Sequence, residues 1–193
     1  MPPPKPSSHP TSIPFSALKV GLLLGRGQFG SVFKGEWDGK DVAIKRVHIQ
    51  DDYDYKTYFA REVEVLNLVR HPHCLKFLGI STGESGNDLY IITEFVQGGN
   101  LRDYLQKKKP LWPDRCRIAV EMAKALDYLH RNHIIHRDVK TENVLMTVEG
   151  GVKLCDFGFS RADNTDESKR MTFLGSEWFE APEIMFCTDY DGI

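Results

Sequence analysis

The sequence predicts an α+β fold in two lobes, and three observations carry that reading. Residues 18–47 read as paired strands around Asp38-Gly39, a two-residue hairpin signal. Residues 53–70 and 113–132 repeat apolar side chains at helical spacing. Between them Gln97-Gly98-Gly99-Asn100 breaks the chain with turn-forming residues. A β-rich part with one helix therefore precedes a helical part, with the junction at residues 95–99.

The elements follow in order. Residues 1–14 hold six of the ten prolines and little to bury, which predicts a disordered or extended leader. A proline-rich ligand for an aromatic groove is the other reading of that composition. Residues 18–47 give three strands. In the helix over 53–70, Phe59, Glu62, Leu66 and Val69 share one face. Glu62 thus lies in the apolar stripe, while Glu64 points to solvent. Residues 75–81 and 89–94 add two strands joined by the turn-rich segment 83–87, for a five-stranded sheet. A short helix over 101–108 precedes the long one, which aligns Ile118, Met122, Leu126 and Leu129. Beyond Ile134 come short strands and loops.

Composition narrows the class. A chain of 193 residues, 41% hydrophobic and 27% charged, fits one soluble domain or one and a fraction. A net charge of −2 gives no electrostatic case for nucleic acid or an anionic membrane. No apolar run is long enough to span a bilayer, and the N-terminus lacks a signal-peptide core. Cys74, Cys116, Cys155 and Cys187 are widely spaced with no CxxC pair, as expected of reduced thiols in a cytoplasmic protein.

The chemistry begins at Gly25, Gly27 and Gly30, where the backbone can approach phosphates without a Cβ in the way. The same spacing is a dinucleotide fingerprint, but that needs a helix directly after the glycines and an acid about 20 residues on. Here residues 31–37 are strand-like, and Lys45 stands at that distance. Lys45 follows Val42-Ala43-Ile44, where an unpaired charge would be costly. It needs a partner, and Glu62 is placed to be one. His71-Pro72-His73-Cys74 is open to a metal reading, which requires further convergent ligands, and no second cluster is evident.

Five motifs stand in one order: Gly25-Arg26-Gly27-Gln28-Phe29-Gly30-Ser31-Val32, Val42-Ala43-Ile44-Lys45, His136-Arg137-Asp138-Val139-Lys140-Thr141-Glu142-Asn143, Asp156-Phe157-Gly158 and Ala181-Pro182-Glu183. Together they resemble the eukaryotic protein kinases, in particular Ser/Thr enzymes of the tyrosine-kinase-like group. The resemblance implies a bilobal protein-kinase-like fold over residues 15–193, after the leader 1–14. Its N-lobe over 15–95 would be complete, a five-stranded sheet plus one helix, with a hinge at 95–99. Its helical C-lobe over 100–193 would be incomplete.

The resemblance also implies ATP-dependent transfer of the γ-phosphate to Ser/Thr hydroxyls of protein substrates, with ATP and Mg²⁺. Lys45, paired with Glu62, would hold the α- and β-phosphates. The Glu94 carbonyl and the Val96 N–H would bond the adenine edge, with Val32, Ala43 and Leu145 around the ring and Thr93 as gatekeeper. Asp138 would accept the hydroxyl proton, Lys140 would neutralise the migrating phosphate, and Asn143 and Asp156 would hold Mg²⁺. Lys140 and Ser176 favour Ser/Thr specificity. Thr172 is the activation-loop phosphosite candidate, with Arg137 to receive its charge. Glu180 departs from the apolar residue common before Ala-Pro-Glu. Phe77, Leu66, Phe157 and His136 would form an internal stack.

In the family a large buried helix follows Ala-Pro-Glu. Without it the fold forfeits about 6–12 kcal/mol of burial, against the 5–15 that stabilises a domain. Its absence would also expose a face of the long helix. The alternative reading is therefore a truncated nucleotide-binding or scaffolding remnant without transfer activity, associated with a chaperone if made as this fragment.

Overall fold

The computed structural model describes residues 9–27, 30–47, 55–84, 86 and 88–162. The chain divides into two compact units, Met1–Arg70 with Leu75–Val96, and His71–Cys74 with Gln97–Ile193.

In the first unit, β1 (Leu18–Gly27), β2 (Gly30–Trp37), β3 (Lys40–Val47), β4 (Phe77–Thr82) and β5 (Leu89–Glu94) form an antiparallel sheet in the order β1-β2-β3-β5-β4. The α+β class, with five strands and one helix in this unit, is as the sequence predicts. Trp37 pairs with Lys40 across a two-residue turn in which Asp38 and Gly39 take φ of 50° and 70°. Two left-handed residues match the right-handed twist of the flanking strands.

The pleat separates two functions. Val42, Ile44, Tyr90 and Ile92 point to one side and form a core with Ile13 and Leu18. Val32, Lys34, Ala43, Lys45, Ile91 and Thr93 are cross-strand neighbours on the other side. The helix α1 (Tyr55–Leu68) buries Phe59, Glu62 and Leu66, and Val69 beyond its end is buried too, so the predicted face is observed. Glu64 is exposed. The carbonyls of Leu66 and Val69 at the helix end accept hydrogen bonds from Arg70 Nη1 at 3.2 and 2.7 Å.

Two features of this unit lie at the edges of its sheet. The composition predicts a disordered or extended leader through Pro14; within it, Ser12 bridges Ile80 in parallel on the edge strand β4. The Ile13 N–H donates to Ile80 O, and the Ile80 N–H to Thr11 O, both at 2.8 Å. Ile13 is only 2% exposed. Backbone pairing to an open sheet edge needs no particular composition, so proline content did not reveal it. A Cβ on Gly79 would lie 2.5 Å from Thr11 O, so this glycine makes room for the segment. Second, β1 buries only Leu18, and its register slips on both sides of Leu23. It is the other edge of the sheet.

In the second unit, α2 (Leu101–Lys108) starts at Asn100, whose Oδ1 accepts from the Asp103 N–H at 2.8 Å. Lys109 ends it in the left-handed conformation. The helix α3 (Trp112–Arg131) buries Ile118, Ala125 and Leu129, with Met122 and Leu126 half-buried. Its other face leaves Trp112, Cys116, Ala119, Val120 and Ala123 exposed. Two small antiparallel pairs follow, β6 (Ile134–Ile135) with β9 (Arg161–Ala162), and β7 (Val144–Met146) with β8 (Val152–Leu154).

His71–Cys74, inside the segment 15–95 that the resemblance assigns to the N-lobe, groups with this unit. The Leu154 N–H donates to His73 O at 2.8 Å, Lys153 Nζ donates to Pro72 O at 3.1 Å, and the His71 ring stacks on Tyr128 at 4.9 Å.

Candidate active site

In the first unit the geometry centres on Lys45. Strand β3 presents it on the face away from the core, opposite Val32 and Ile91. Its Nζ lies 2.6 and 2.9 Å from the two carboxylate oxygens of Glu62. The side chains are 19% and 9% exposed, so the pair is largely removed from water. The apolar stripe of α1 puts the carboxylate against the sheet at this point. Ala43 and Thr93 are direct cross-strand partners on the same face, and Thr93 is 8% exposed.

Gly25 and Gly27 close β1, and Gly30 opens β2. A Cβ on Gly30 would collide with the Arg46 carbonyl, and its φ of 152° is open to glycine alone. Gly25 differs: among the described residues nothing lies within 4 Å of a Cβ placed there. Glu94 ends β5, its N–H donating to Lys76 O at 2.9 Å and its carboxylate accepting from the Lys76 N–H at 2.7 Å. Val96 is the last residue of the unit.

In the second unit the centre is Asp138, 3% exposed. Its Oδ2 accepts from Asn143 Nδ2 at 2.7 Å and lies 2.8 Å from Lys140 Nζ. Asn143 Nδ2 also donates to the Asp138 carbonyl at 2.9 Å. A 3₁₀ turn over Thr141–Asn143 folds the asparagine back over five residues to do this. The sequence reading gave Asn143 a metal role and missed this second task, because the spacing alone does not show the turn. Leu145 is on β7, half-buried, and bridges Asn100.

His136 ties the Asp138 loop to Asp156-Phe157-Gly158. Its Nδ1 accepts from the Asp138 N–H at 3.3 Å, which leaves the proton on Nε2 to be donated to Cys155 O at 3.0 Å. Burial pushes its pKa below the ordinary value, so the ring is neutral. The Phe157 ring meets His136 edge-on at 5.1 Å, and Ser160 Oγ donates to His136 O at 3.3 Å. Asp156 takes φ of 62°, a left-handed conformation that aspartate tolerates better than most residues. Arg137 also has positive φ, and its Nε donates to Phe159 O at 2.6 Å.

The predicted residues thus form two sets: Lys45, Glu62, Val32, Ala43 and Thr93 in the first unit, and Asp138, Lys140 and Asn143 in the second, next to Asp156. Among the described residues no three His, Cys, Asp or Glu side chains group as a metal site. His71 and His73 contact Tyr128 and Val152 O instead. Gln28, Phe29, Thr172, Ser176, Glu180, Ala181-Pro182-Glu183 and Cys187 lie outside the described residues.

A model of the protein kinase domain matches residues 18–192. The chain is 46% identical over 181 residues to the RasGEF domain-containing serine/threonine-protein kinase X of Dictyostelium discoideum, covering 93% of this chain and 19% of that protein. It is 40% identical over 187 residues to the probable serine/threonine-protein kinase kinX of the same organism, covering 93% and 17%. It is 42% identical over 180 residues to the kinase and exchange factor for Rac A, also from Dictyostelium discoideum, covering 89% and 14%. The chain therefore spans less than a fifth of the length of these three relatives.

Proposed function

This chain belongs to the protein kinase family, and on that premise we propose that it transfers the γ-phosphate of ATP to Ser or Thr hydroxyls of protein substrates. The observation that carries the proposal is the buried Asp138 carboxylate with Lys140 and Asn143 on one oxygen. That arrangement orients a base and sets a positive charge beside it.

Each residue has a derivable task. Lys45, held by both oxygens of Glu62, would present its ammonium to the α- and β-phosphates. The glycines at 25 and 27 would let backbone N–H groups approach them. The Glu94 carbonyl and Val96 N–H would bond the adenine edge at about 0.5–1.5 kcal/mol per bond. Val32, Ala43 and Leu145 would pack on the ring, and Thr93, as gatekeeper, would leave space behind it. The substrate hydroxyl oxygen attacks the γ-phosphorus, the β–γ bridging oxygen leaves on ADP, and Asp138 takes the hydroxyl proton. Lys140 offsets the charge on the moving phosphoryl group.

The donor set also fits Mg²⁺. Both Nδ2 hydrogen bonds of Asn143 go to Asp138, which leaves its Oδ1 for a cation, and Asp156 adds a carboxylate. Two hard oxygens beside phosphates suit Mg²⁺, which supplies charge neutralisation when bound. Lys140 and the names of the relatives support Ser/Thr specificity, and the hinge residues with the helical face are what favour the tyrosine-kinase-like group. Thr172 would be the activating phosphosite, paired with Arg137. A cytoplasmic location fits four widely spaced cysteines with no CxxC pair.

The test is Asp138→Asn. Transfer to a protein substrate should fall by at least two orders of magnitude while ATP affinity stays within about twofold, because the base acts on the hydroxyl. Phosphoamino-acid analysis of the wild-type product should give phosphoserine or phosphothreonine. Full transfer by Asp138→Asn, or predominant phosphotyrosine, would refute the assignment.

A further inference from the structure

Lys34 was not singled out by the sequence, yet it stands in the same cross-strand row as the nucleotide residues. It lies two positions after Val32 on β2, opposite Ala43, which in turn pairs with Thr93. All four side chains share the face that carries Lys45. The Lys34 ammonium sits 4.9 Å from the centroid of the Phe95 ring, within cation–π range. Asp41 Oδ2 holds the same ammonium at 2.8 Å. Phe95 lies between Glu94 and Val96, the two residues whose backbone groups would read the adenine edge.

The segment is thus gripped on both flanks. On one side Glu94 exchanges hydrogen bonds with Lys76 through backbone and carboxylate. On the other, Asp41 fixes Lys34 and Lys34 fixes the Phe95 ring. A ring held against the ammonium has less freedom to swing, which steadies the peptide planes before and after it, and those planes carry the Glu94 carbonyl and the Val96 N–H. Pre-ordering such groups raises affinity without adding a contact to the ligand.

We infer that Lys34 is a positioning residue for nucleobase recognition, acting through the Phe95 ring. The inference rests on the proposed kinase reading and adds a specificity element to its nucleotide site. The ordinary alternative is a surface lysine whose ion pair contributes nothing measurable.

The experiment titrates Mg²⁺·ATP into the full chain as wild type, Lys34→Met, Lys34→Arg, Phe95→Leu and the Lys34→Met/Phe95→Leu double variant. Amide exchange at Phe95 and Val96 is followed without nucleotide. Lys34→Met should weaken ATP binding by about two- to fivefold and speed that exchange. Lys34→Arg should restore both, since guanidinium also binds an aromatic face. The double variant should bind no worse than the weaker single, as expected of one shared interaction. Unfolding midpoints should match wild type throughout. Wild-type affinity in Lys34→Met, additive losses in the double variant, or no rescue by Arg would overturn the positioning role while leaving the kinase reading intact. A folded wild type that binds no ATP would instead sink the kinase reading, and this role with it.

Discussion

Replacing Lys45 by Met leaves the buried Glu62 carboxylate on α1 without its ammonium. Taking one partner from a buried ion pair costs about 3–5 kcal/mol, because the remaining charge has lost both water and its counter-charge. The Lys45 side chain is 19% exposed, so water can partly replace the ammonium. That puts the expected loss at the lower end, about 3 kcal/mol. With a urea slope of about 1–3 kcal/mol per molar, the unfolding midpoint should fall by about 1–3 M. Substituting Glu62→Leu in the same chain removes the stranded charge. The double variant should then return to within about 1 kcal/mol of wild type, since apolar replacement of a buried pair is often neutral or better. Urea melts followed by far-UV circular dichroism read both numbers. If Lys45→Met unfolds at the wild-type midpoint, or the double variant is as unstable as the single, the pair is effectively solvated and the reasoning fails.

His136 is neutral in the folded chain because burial opposes its charging, and burial lowers His71 in the same direction. The unfolded chain gains protons near the ordinary histidine value of 6.5 and the folded chain gains them only at lower pH. Stability should therefore be complete above that pH and decline below it, by up to about 1.4 kcal/mol per pH unit per histidine, as melts at pH 7.5 and 5.5 would show. Gly79→Ala should displace residues 11–13 from β4, seen as faster amide exchange at Ile13 and Ile80, because the new methyl would sit 2.5 Å from Thr11 O. Burial pushes the Cys74 thiol up to about 12, so iodoacetamide should leave it unmodified until the chain unfolds. Cys116, exposed on α3, should react in the folded state, and peptide mass spectrometry separates the two.

What could be read from the sequence was local in origin. Asp38-Gly39 announced its hairpin because only a few residue types accept two left-handed conformations. The apolar spacing of Phe59, Glu62 and Leu66 placed a carboxylate in a buried stripe, and that stripe identified the partner of Lys45. The bounds of α2 matched because Asn100 and Lys109 sit at its two ends. The unread features depend on distant pairing. Strands of two or three residues, such as β6 and β7, are too short to show alternation. The bond from Leu154 to His73 joins residues 81 positions apart that share no pattern. Thr11 to Ile13 were hidden among prolines, since sheet-edge pairing uses the backbone. Lys34 looked like any strand lysine until Phe95 and Asp41 were seen beside it.

The assignment of His71–Cys74 bears on how this polypeptide could be taken apart. The chain passes into the second unit at His71, returns at Leu75 and leaves again after Val96. Three peptide connections join the units, so one proteolytic nick after Val96 would not release a separate half. Gene dissection at that point should fare poorly on both sides. A fragment ending at Val96 would carry the His73 carbonyl without Leu154 to donate to it. A fragment starting at Gln97 would leave the N–H of Leu154, a fully buried residue, without its acceptor, and Tyr128 without the ring stacked on it. Neither unit is a cassette that recombination could move alone, because four residues encoded within one complete the backbone hydrogen bonding of the other.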